Sequence, residues 1–593
     1  MCGIAGFINV DGAPAEPRVA TAMMDTIRHR GPDDRGQISI SLRRGLIVDE
    51  TDAPDTAIGF HRLKVLDLSA QGHQPMMNAS GTVVLALNGE IYNAFDYKTE
   101  LEAAGFTFRS RTDTEVLIYL YERFGIEGLL ERLNGMFALV IADLRTHQIH
   151  LARDHFGIKP LYWAQTGASV LFASEAKAFL AHPGFKADVD EALIDEQLAF
   201  RYVAGEACLL KGVRQLRPGH RLTITPGGVT TTRYWSIPDR GAAPLHREDA
   251  VDRLDDLMRR SVASQLVSDV PVGCQLSGGI DSSLVTVLAS ATAGVTLDTF
   301  SVVFEDPKFS EDRWIGEATA KAGTASHRLL FSEDSFTSPL MQATWHMDQP
   351  ISHPNSLGIW ALAKQARERV TVLLSGEGAD EVFAGYTRFR AAAVKAPEAF
   401  IHSSQFQPSS KLLRLRPEAN LESAFARRTA IFNEGNGDYL GKCLKYDMQT
   451  FLVDLLVRQD KMTMAHGVEN RVPFLDRHVV EFARTLPAEH LVADGATKIV
   501  LKQLARRTFD DAFVDRPKAA FALPLSQYFR SAAFTELMED ALLPGMKRRG
   551  LVREPAVREL WRRSLSAPAL TEPFWIPVAL ELWAQQFVDR GKV

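Results

Sequence analysis

The second residue of the chain is a cysteine, placed between the initiator methionine and a strand-like run in MCGIAGF. Cysteine is small enough for that methionine to be trimmed, which leaves Cys2 with both a thiol and a free α-amino group. Unperturbed, the thiol titrates near 8.5 and the amine at about 7.7–8.0. The amine is therefore suited to accept the thiol proton and later pass it to a leaving group. A lone cysteine is more commonly a small buried apolar side chain, but that role does not require methionine removal. The segment LALNGEIYN contains Asn88-Gly89 between apolar residues. It reads either as a type I′ hairpin turn or as an oxyanion hole built from a side-chain amide and a glycine N–H. GFHRLKVLDL supplies Arg62, a fork suited to a carboxylate, and RTDTEV supplies Asp113, a counter-charge for an ammonium group. With Cys2, these residues make up what hydrolysis of an amino-acid amide requires.

A second constellation lies downstream. In CQLSGGIDSSLVTVLAS an apolar strand ends at Ser277-Gly278-Gly279. A helix opens at about Asp281-Ser282-Ser283, with Leu284, Val285 and Leu288 facing inward. Bare backbone N–H groups and a helix N-terminus favour an anion, and no lysine follows the glycines as in a Walker A loop. The whole string resembles the pyrophosphate loop of the ATP-pyrophosphatase superfamily, whose members split ATP between the α- and β-phosphates. VTVLLSGEGADEVFAGY repeats the strand-to-turn pattern with Ser375 and Gly376, then places Glu377, Asp380 and Glu381 close together. Those acids read as a solvated helix start or as a ligand site at the carboxyl end of a sheet. Mg²⁺ on pyrophosphate takes hard oxygen ligands, which Asp281 and Asp380 can provide.

These residues need rigid elements to hold them. The first ~210 residues read as short strands with few helices; Pro17 opens a helix carrying Val19, Met23 and Ile27 on one face. Residues 210–250 are rich in Gly, Pro and Thr and read as a β-ribbon and linker. Helices then alternate with the apolar runs VPVGCQLS, LDTFSVVF and VTVLLSGEG, the pattern of a doubly wound parallel sheet. From about Phe389 the pattern is mostly helical.

At 593 residues the chain exceeds a single core. A net charge of −6 without a long basic run argues against nucleic-acid binding. No apolar stretch approaches the ~18–20 residues of a membrane span, and there is no signal-peptide pattern. The four cysteines are far apart, without metal or disulfide spacing. The expectation is a cytoplasmic, multidomain protein.

Six motifs in order, MCGIAGF, HRGPDD, LNGEIYN, SGGIDSS, SGEGADE and ENRVPFLD, resemble the glutamine-dependent asparagine synthetases over nearly the whole chain. The resemblance implies an α+β domain followed by an α/β domain. An N-terminal Ntn-hydrolase αββα sandwich, a class II glutaminase, spans residues 2–213; a β-ribbon and linker span 214–245. Residues 246–593 form a doubly wound parallel-sheet ATP-pyrophosphatase domain with a helical C-terminal part. It also implies Cys2 as nucleophile, Asn88 and Gly89 as oxyanion hole, and Arg62, Glu90 and Asp113 as glutamine holders. The nucleotide site comprises Leu276, Ser277, Gly278, Gly279, Asp281, Ser282, Val302, Ser375 and Gly376. Glu377 is associated with the acyl-adenylate step and Lys498 with charge at the adenylate. ATP and Mg²⁺ are the implied cofactors. The small-molecule partners are glutamine, ATP and an acceptor carboxylate, first of all aspartate, and a homodimer is suggested. Ammonia would pass between the sites through a water-poor passage. Val303, Ala384 and Ala520 stand where the family often has glycine, and residues 394–440 do not match its pattern. These departures leave room for another acceptor carboxylate. A catalytically silent relative is a further reading, but such relatives typically lose the nucleophile or the SGG turn, both present here.

Overall fold

The computed structural model describes residues 2–241, 245–391, 397–517 and 522–589. Ala520 and residues 394–396 lie outside them. The first half is built on two antiparallel sheets. One orders its seven strands Val213–Gln215, Tyr162–Thr166, Ser169–Ala173, Gly3–Asn9, Thr56–Arg62, Asp34–Ser41, Leu46–Ile47. The other orders six as Gly228–Arg233, His220–Thr225, Gln148–Arg153, Gly135–Asp143, Val83–Ile91, Met76–Met77. The sheets share one apolar layer, in which Ile4, Ile58 and Phe60 meet Val84, Ala86 and Val140. Helix Asp113–Arg132 covers one outer face through Val116, Leu117 and Leu120 against Leu85 and Leu87. Helix Pro17–Asp25, with Pro17 in its first turn, buries Met23 and Met24 against Ala5 and Phe7 on the other. This is the αββα sandwich.

Strand alternation explains where Asn88 points. In Val83–Ile91, Leu85 and Leu87 face the helix, whereas Val84 and Ala86 face the inner layer. Asn88 has the same parity as the inner-facing pair. The hairpin-turn reading of Asn88-Gly89 is overturned: both lie within the strand, opposite Ala138 and Phe137. The ribbon His220–Thr225/Gly228–Arg233 pairs onto Gln148–Arg153 and extends the six-stranded sheet.

The second half holds a five-stranded, all-parallel sheet. Its order is Ala325–Leu330, Asp298–Val303, Val272–Gln275, Val372–Leu374, Glu469–Arg471. In chain order the strands run 3-2-1-4-5, so the order reverses between Val272–Gln275 and Val372–Leu374. Ligands of open α/β sheets bind at the carboxyl ends beside such a switch point, and both serine-glycine turns emerge there. The fifth strand, inside ENRVPFLD, is three residues long and falls in a region read from the sequence as helical. The C-terminal part is otherwise mostly helical, ending in the buried helix Thr571–Ala584. Helices Pro397–Ser403, Ser409–Leu415 and Glu422–Asn433 lie in the stretch 394–440 for which the sequence offered no familiar motif. They dock on helix Ile194–Phe200 of the first half: Arg416 pairs with Asp195 at 2.7 Å, and Arg427 and Arg428 with Glu196 at 2.6 and 2.9 Å. Among the described residues, no helix is long and apolar enough to cross a membrane.

Candidate functional site

Cys2 stands at the head of strand Gly3–Asn9, whose Gly3 pairs with His61 near the end of Thr56–Arg62. Its N–H donates to Asn88 Oδ1 at 2.9 Å and its Sγ faces the Leu63 carbonyl at 4.0 Å. Burial pushes the thiol up from its ordinary value, while the nearby Arg62 charge favours the thiolate. Asn88 is fully buried, and its Nδ2 has no hydrogen-bond partner among the described residues. A buried amide donor left unmade is costly. Here one half of the amide fixes the Cys2 backbone, and the other half is open to a ligand acceptor. Gly89 has φ +148, and a Cβ there would lie 1.9 Å from the Met136 carbonyl oxygen. The strand therefore requires glycine, independently of any turn.

Arg62 is buried and donates to the carbonyls of Leu66 (2.9 Å), Asp67 (2.7 Å) and Ser69 (3.2 Å). Gly72 admits it, since a Cβ would sit 1.9 Å from Nη2. Asp113 opens its helix, with Thr112 as N-cap, and accepts from the N–H groups of Ile91 (2.9 Å) and Thr114 (2.7 Å). Burial outweighs those bonds and lifts its carboxyl to about 6. Glu90 is raised well above the usual carboxylate range, first by burial and then by Asp113 and Glu469; Arg471 opposes the shift. The structure brings Cys2, Arg62, Asn88, Gly89, Glu90 and Asp113 to one end of the sandwich.

At the switch point of the parallel sheet, Leu276 is buried beneath the loop and donates to the Phe300 carbonyl at 2.9 Å. Gly278 has φ +83, and its carbonyl accepts from Arg516, whose guanidinium stacks on Trp314 and Phe513. Ser282 Oγ accepts from the Ser277 N–H at 3.2 Å. The two turns meet backbone to backbone: a Cβ on Gly376 would be 2.6 Å from the Ser282 nitrogen. Ser375 donates through its N–H to the Arg471 carbonyl (2.9 Å) and through Oγ to Asn470 Oδ1 (3.0 Å). Val302, half-buried, is the last residue but one of the neighbouring strand Asp298–Val303. Lys498 Nζ lies 2.7 Å from both Asp281 Oδ2 and Asp380 Oδ1. These two carboxylates hold its ammonium charged against the opposing effect of burial. Gly385 makes room, since a Cβ there would lie 1.8 Å from Asp380 Oδ1 and 2.2 Å from Lys498 Cε. The neighbouring Ala384 takes φ +58, a conformation that favours glycine.

The acidic run is not a solvated helix start. Glu381 is buried and accepts from Tyr386 Oη at 2.5 Å, Glu377 pairs with Arg458 at 3.2 Å, and Asp380 with Lys498. Among the described residues, no group of three or more His, Cys, Asp and Glu side chains is arranged to hold a metal. Asp281 and Asp380 converge as a pair on one cation. Two carboxylates already sharing a cation suit a hard dication whose remaining ligands are phosphate and water.

Helix Phe451–Met464 runs between the two sites. Four consecutive buried residues reach out in different directions. Arg458 contacts Glu377, Gln459 donates to Gln275 (2.7 Å), Asp460 accepts from Arg30 (2.8 Å) and Lys461 approaches Asp348 (3.3 Å). Arg30 is itself fully buried, donating to the Cys2 carbonyl at 3.1 Å and to Glu175 at 2.7 Å. Arg30, Arg458, Asp460 and Arg471 were given no role in the sequence reading. The signal available was that Arg30 and Arg471 fall inside HRGPDD and ENRVPFLD.

Comparison with known proteins matches two families along the chain. The asparagine synthase family matches residues 253–585, and the glutamine amidotransferase domain family matches residues 1–235. "Asparagine synthetase [glutamine-hydrolyzing] 1" of Bacillus subtilis (strain 168) is 31% identical over 574 residues, covering 90% of this chain and 88% of its own. "Asparagine synthetase [glutamine-hydrolyzing] 3" of the same organism is 32% identical, with 88% and 87% covered. "Amidase chry2" of Gibberella zeae is 28% identical, with 88% and 89% covered.

Proposed function

Since this chain belongs to the asparagine synthase family of glutamine-dependent carbon–nitrogen ligases, we propose that it converts aspartate to asparagine. Glutamine supplies the nitrogen, and ATP is cleaved to AMP and pyrophosphate. The observation that carries the donor half is the divided amide of Asn88, which anchors Cys2 through Oδ1 and leaves Nδ2 unpartnered among the described residues. Cys2 Sγ attacks the glutamine carboxamide carbon, and Asn88 Nδ2 with the Gly89 N–H stabilises the oxyanion. The α-amine of a trimmed Cys2 takes the thiol proton and delivers it to ammonia as the C–N bond breaks. Water then hydrolyses the thioester to glutamate. Arg62 faces the α-carboxylate of glutamine, while Glu90 and Asp113 face its ammonium group.

In the second half, the Ser277–Gly279 and Ser375–Gly376 turns hold the phosphates through backbone N–H groups. The acceptor carboxylate attacks the α-phosphorus, pyrophosphate leaves, and ammonia attacks the resulting acyl-adenylate carbonyl, releasing AMP. Lys498 offsets charge on the adenylate, and Glu377 serves the acyl-adenylate step. Asp281 and Asp380 would hold Mg²⁺, which screens phosphate charge when bound. Glutamine, Mg-ATP and aspartate should yield stoichiometric AMP, pyrophosphate and asparagine. Glutamine hydrolysis without aspartate-dependent pyrophosphate release would show that aspartate is the wrong acceptor. A second reading, amidation of a different carboxylate, is supported by relatives named amidases and by Ala384 beside the Lys498 pair. A screen of carboxylic acids for pyrophosphate release separates the two.

A further inference from the structure

Glu90 and Asp113, at the buried end of the sandwich, interact electrostatically with Glu469 on the strand Glu469–Arg471 of the second half. Three carboxylates gathered out of water oppose one another's ionisation, yet an ammonium group is held well only by ionised partners. Arg471 is the second half's cation facing this group. It is buried on strand Glu469–Arg471, and most of its donors are committed. Its Nε pairs with Glu469 at 2.6 Å, and Nη1 donates to the Gln265 and Val267 carbonyls at 2.7 and 2.8 Å. Its Nη2 has no hydrogen-bond partner among the described residues and lies 3.9 Å from Glu90 Oε1. The guanidinium is thus fixed through three contacts on two of its nitrogens, with the third nitrogen presented across the domain junction to a carboxylate expected to meet the substrate.

We propose that Arg471 completes the glutamine site from the other half of the chain, as a positioning residue that orients Glu90 and supports its charge against the substrate ammonium. This rests on the reading of Cys2 as the glutaminase nucleophile and goes beyond it by assigning part of that pocket to the ATP-dependent half. Arg471 is tied to the nucleotide turn through its carbonyl, which accepts the Ser375 N–H. A side-chain substitution leaves that backbone bond in place, so the two roles can be separated.

The test is steady-state glutamine hydrolysis by full-length Arg471→Met and Arg471→Lys, beside ammonia-dependent pyrophosphate release with the acceptor. Arg471→Met should raise the glutamine KM about tenfold or more with kcat within about threefold. Arg471→Lys, which keeps the charge but not the fork, should fall between it and the wild type. Ammonia-dependent synthesis should persist in both. The acidic limb of glutamine kcat/KM should move to higher pH in Arg471→Met. The groups facing Glu90 there are Asp113, Glu469, Arg471, Tyr92 and Cys2. An unchanged glutamine KM and acidic limb would overturn the proposal, as would glutamine- and ammonia-dependent activities falling together, the mark of a merely structural residue. The underlying reading fails separately, by glutamine hydrolysis surviving in Cys2→Ala.

Discussion

Replacing Gly385 with alanine tests the synthetase site at its most crowded point. The added Cβ would be 1.8 Å from Asp380 Oδ1 and 2.2 Å from Lys498 Cε, whereas ordinary contact begins at 3.4 Å. The carboxylate must retreat by about 1.6 Å, and a retreat directed away from Lys498 opens their 2.7 Å ion pair to about 4.3 Å. At an effective dielectric of about 20, that separation loses roughly 2 kcal/mol of attraction. Expressed fully in the transition state, it is about thirtyfold in rate. The assay is acceptor-dependent pyrophosphate release with saturating ammonia, run beside glutamine hydrolysis. The expected result is a synthesis rate lower by roughly 10- to 100-fold with glutamine hydrolysis within about twofold. Synthesis at the wild-type rate in a folded Gly385→Ala protein would refute the argument. Either the backbone would then absorb the methyl group, or the Lys498–Asp380 pair would not contribute to the chemistry.

Two further predictions concern the thiol site. Asn88→Ala removes the unpartnered Nδ2 donor, and kcat for glutamine hydrolysis should fall by about 10²–10³, with ammonia-dependent synthesis retained; a loss below tenfold would remove Asn88 from the oxyanion hole. Asp113, lifted to about 6 by burial, becomes protonated as the pH falls through that value and can no longer offset an ammonium group. Glutamine kcat/KM should therefore decline below about pH 6, and a profile flat to pH 5 would show that Asp113 does not face the substrate ammonium.

The chemistry-bearing residues were legible wherever a short contiguous string carried them. SGGIDSS and SGEGADE announce strand-to-helix turns locally, and the topology places both at one switch point. Asn88-Gly89 was legible as a candidate donor pair but misread as a turn. Asn-Gly has a strong local turn preference, and only the tertiary approach of the Met136 carbonyl explains a glycine inside a strand. Arg30, Arg458, Asp460 and Arg471 were illegible because a charged residue in a polar run normally reads as solvated. Their partners are remote in sequence, Arg30 and Asp460 being 430 positions apart. The strand Glu469–Arg471 was missed because three residues cannot display a period.

The same 430-residue separation bears on how the protein is made. Arg30 is buried where the two halves meet, pairing with Glu175 from its own half and Asp460 from the other. During synthesis the sandwich emerges first, and one arm of that guanidinium has no carboxylate until helix Phe451–Met464 has been translated. Until then Arg30 keeps only Glu175 and the Cys2 carbonyl as partners. The arrangement delays full consolidation around Cys2 until helix Phe451–Met464 has docked. A nascent or truncated chain thus holds Cys2 in a less consolidated setting than the full-length chain does.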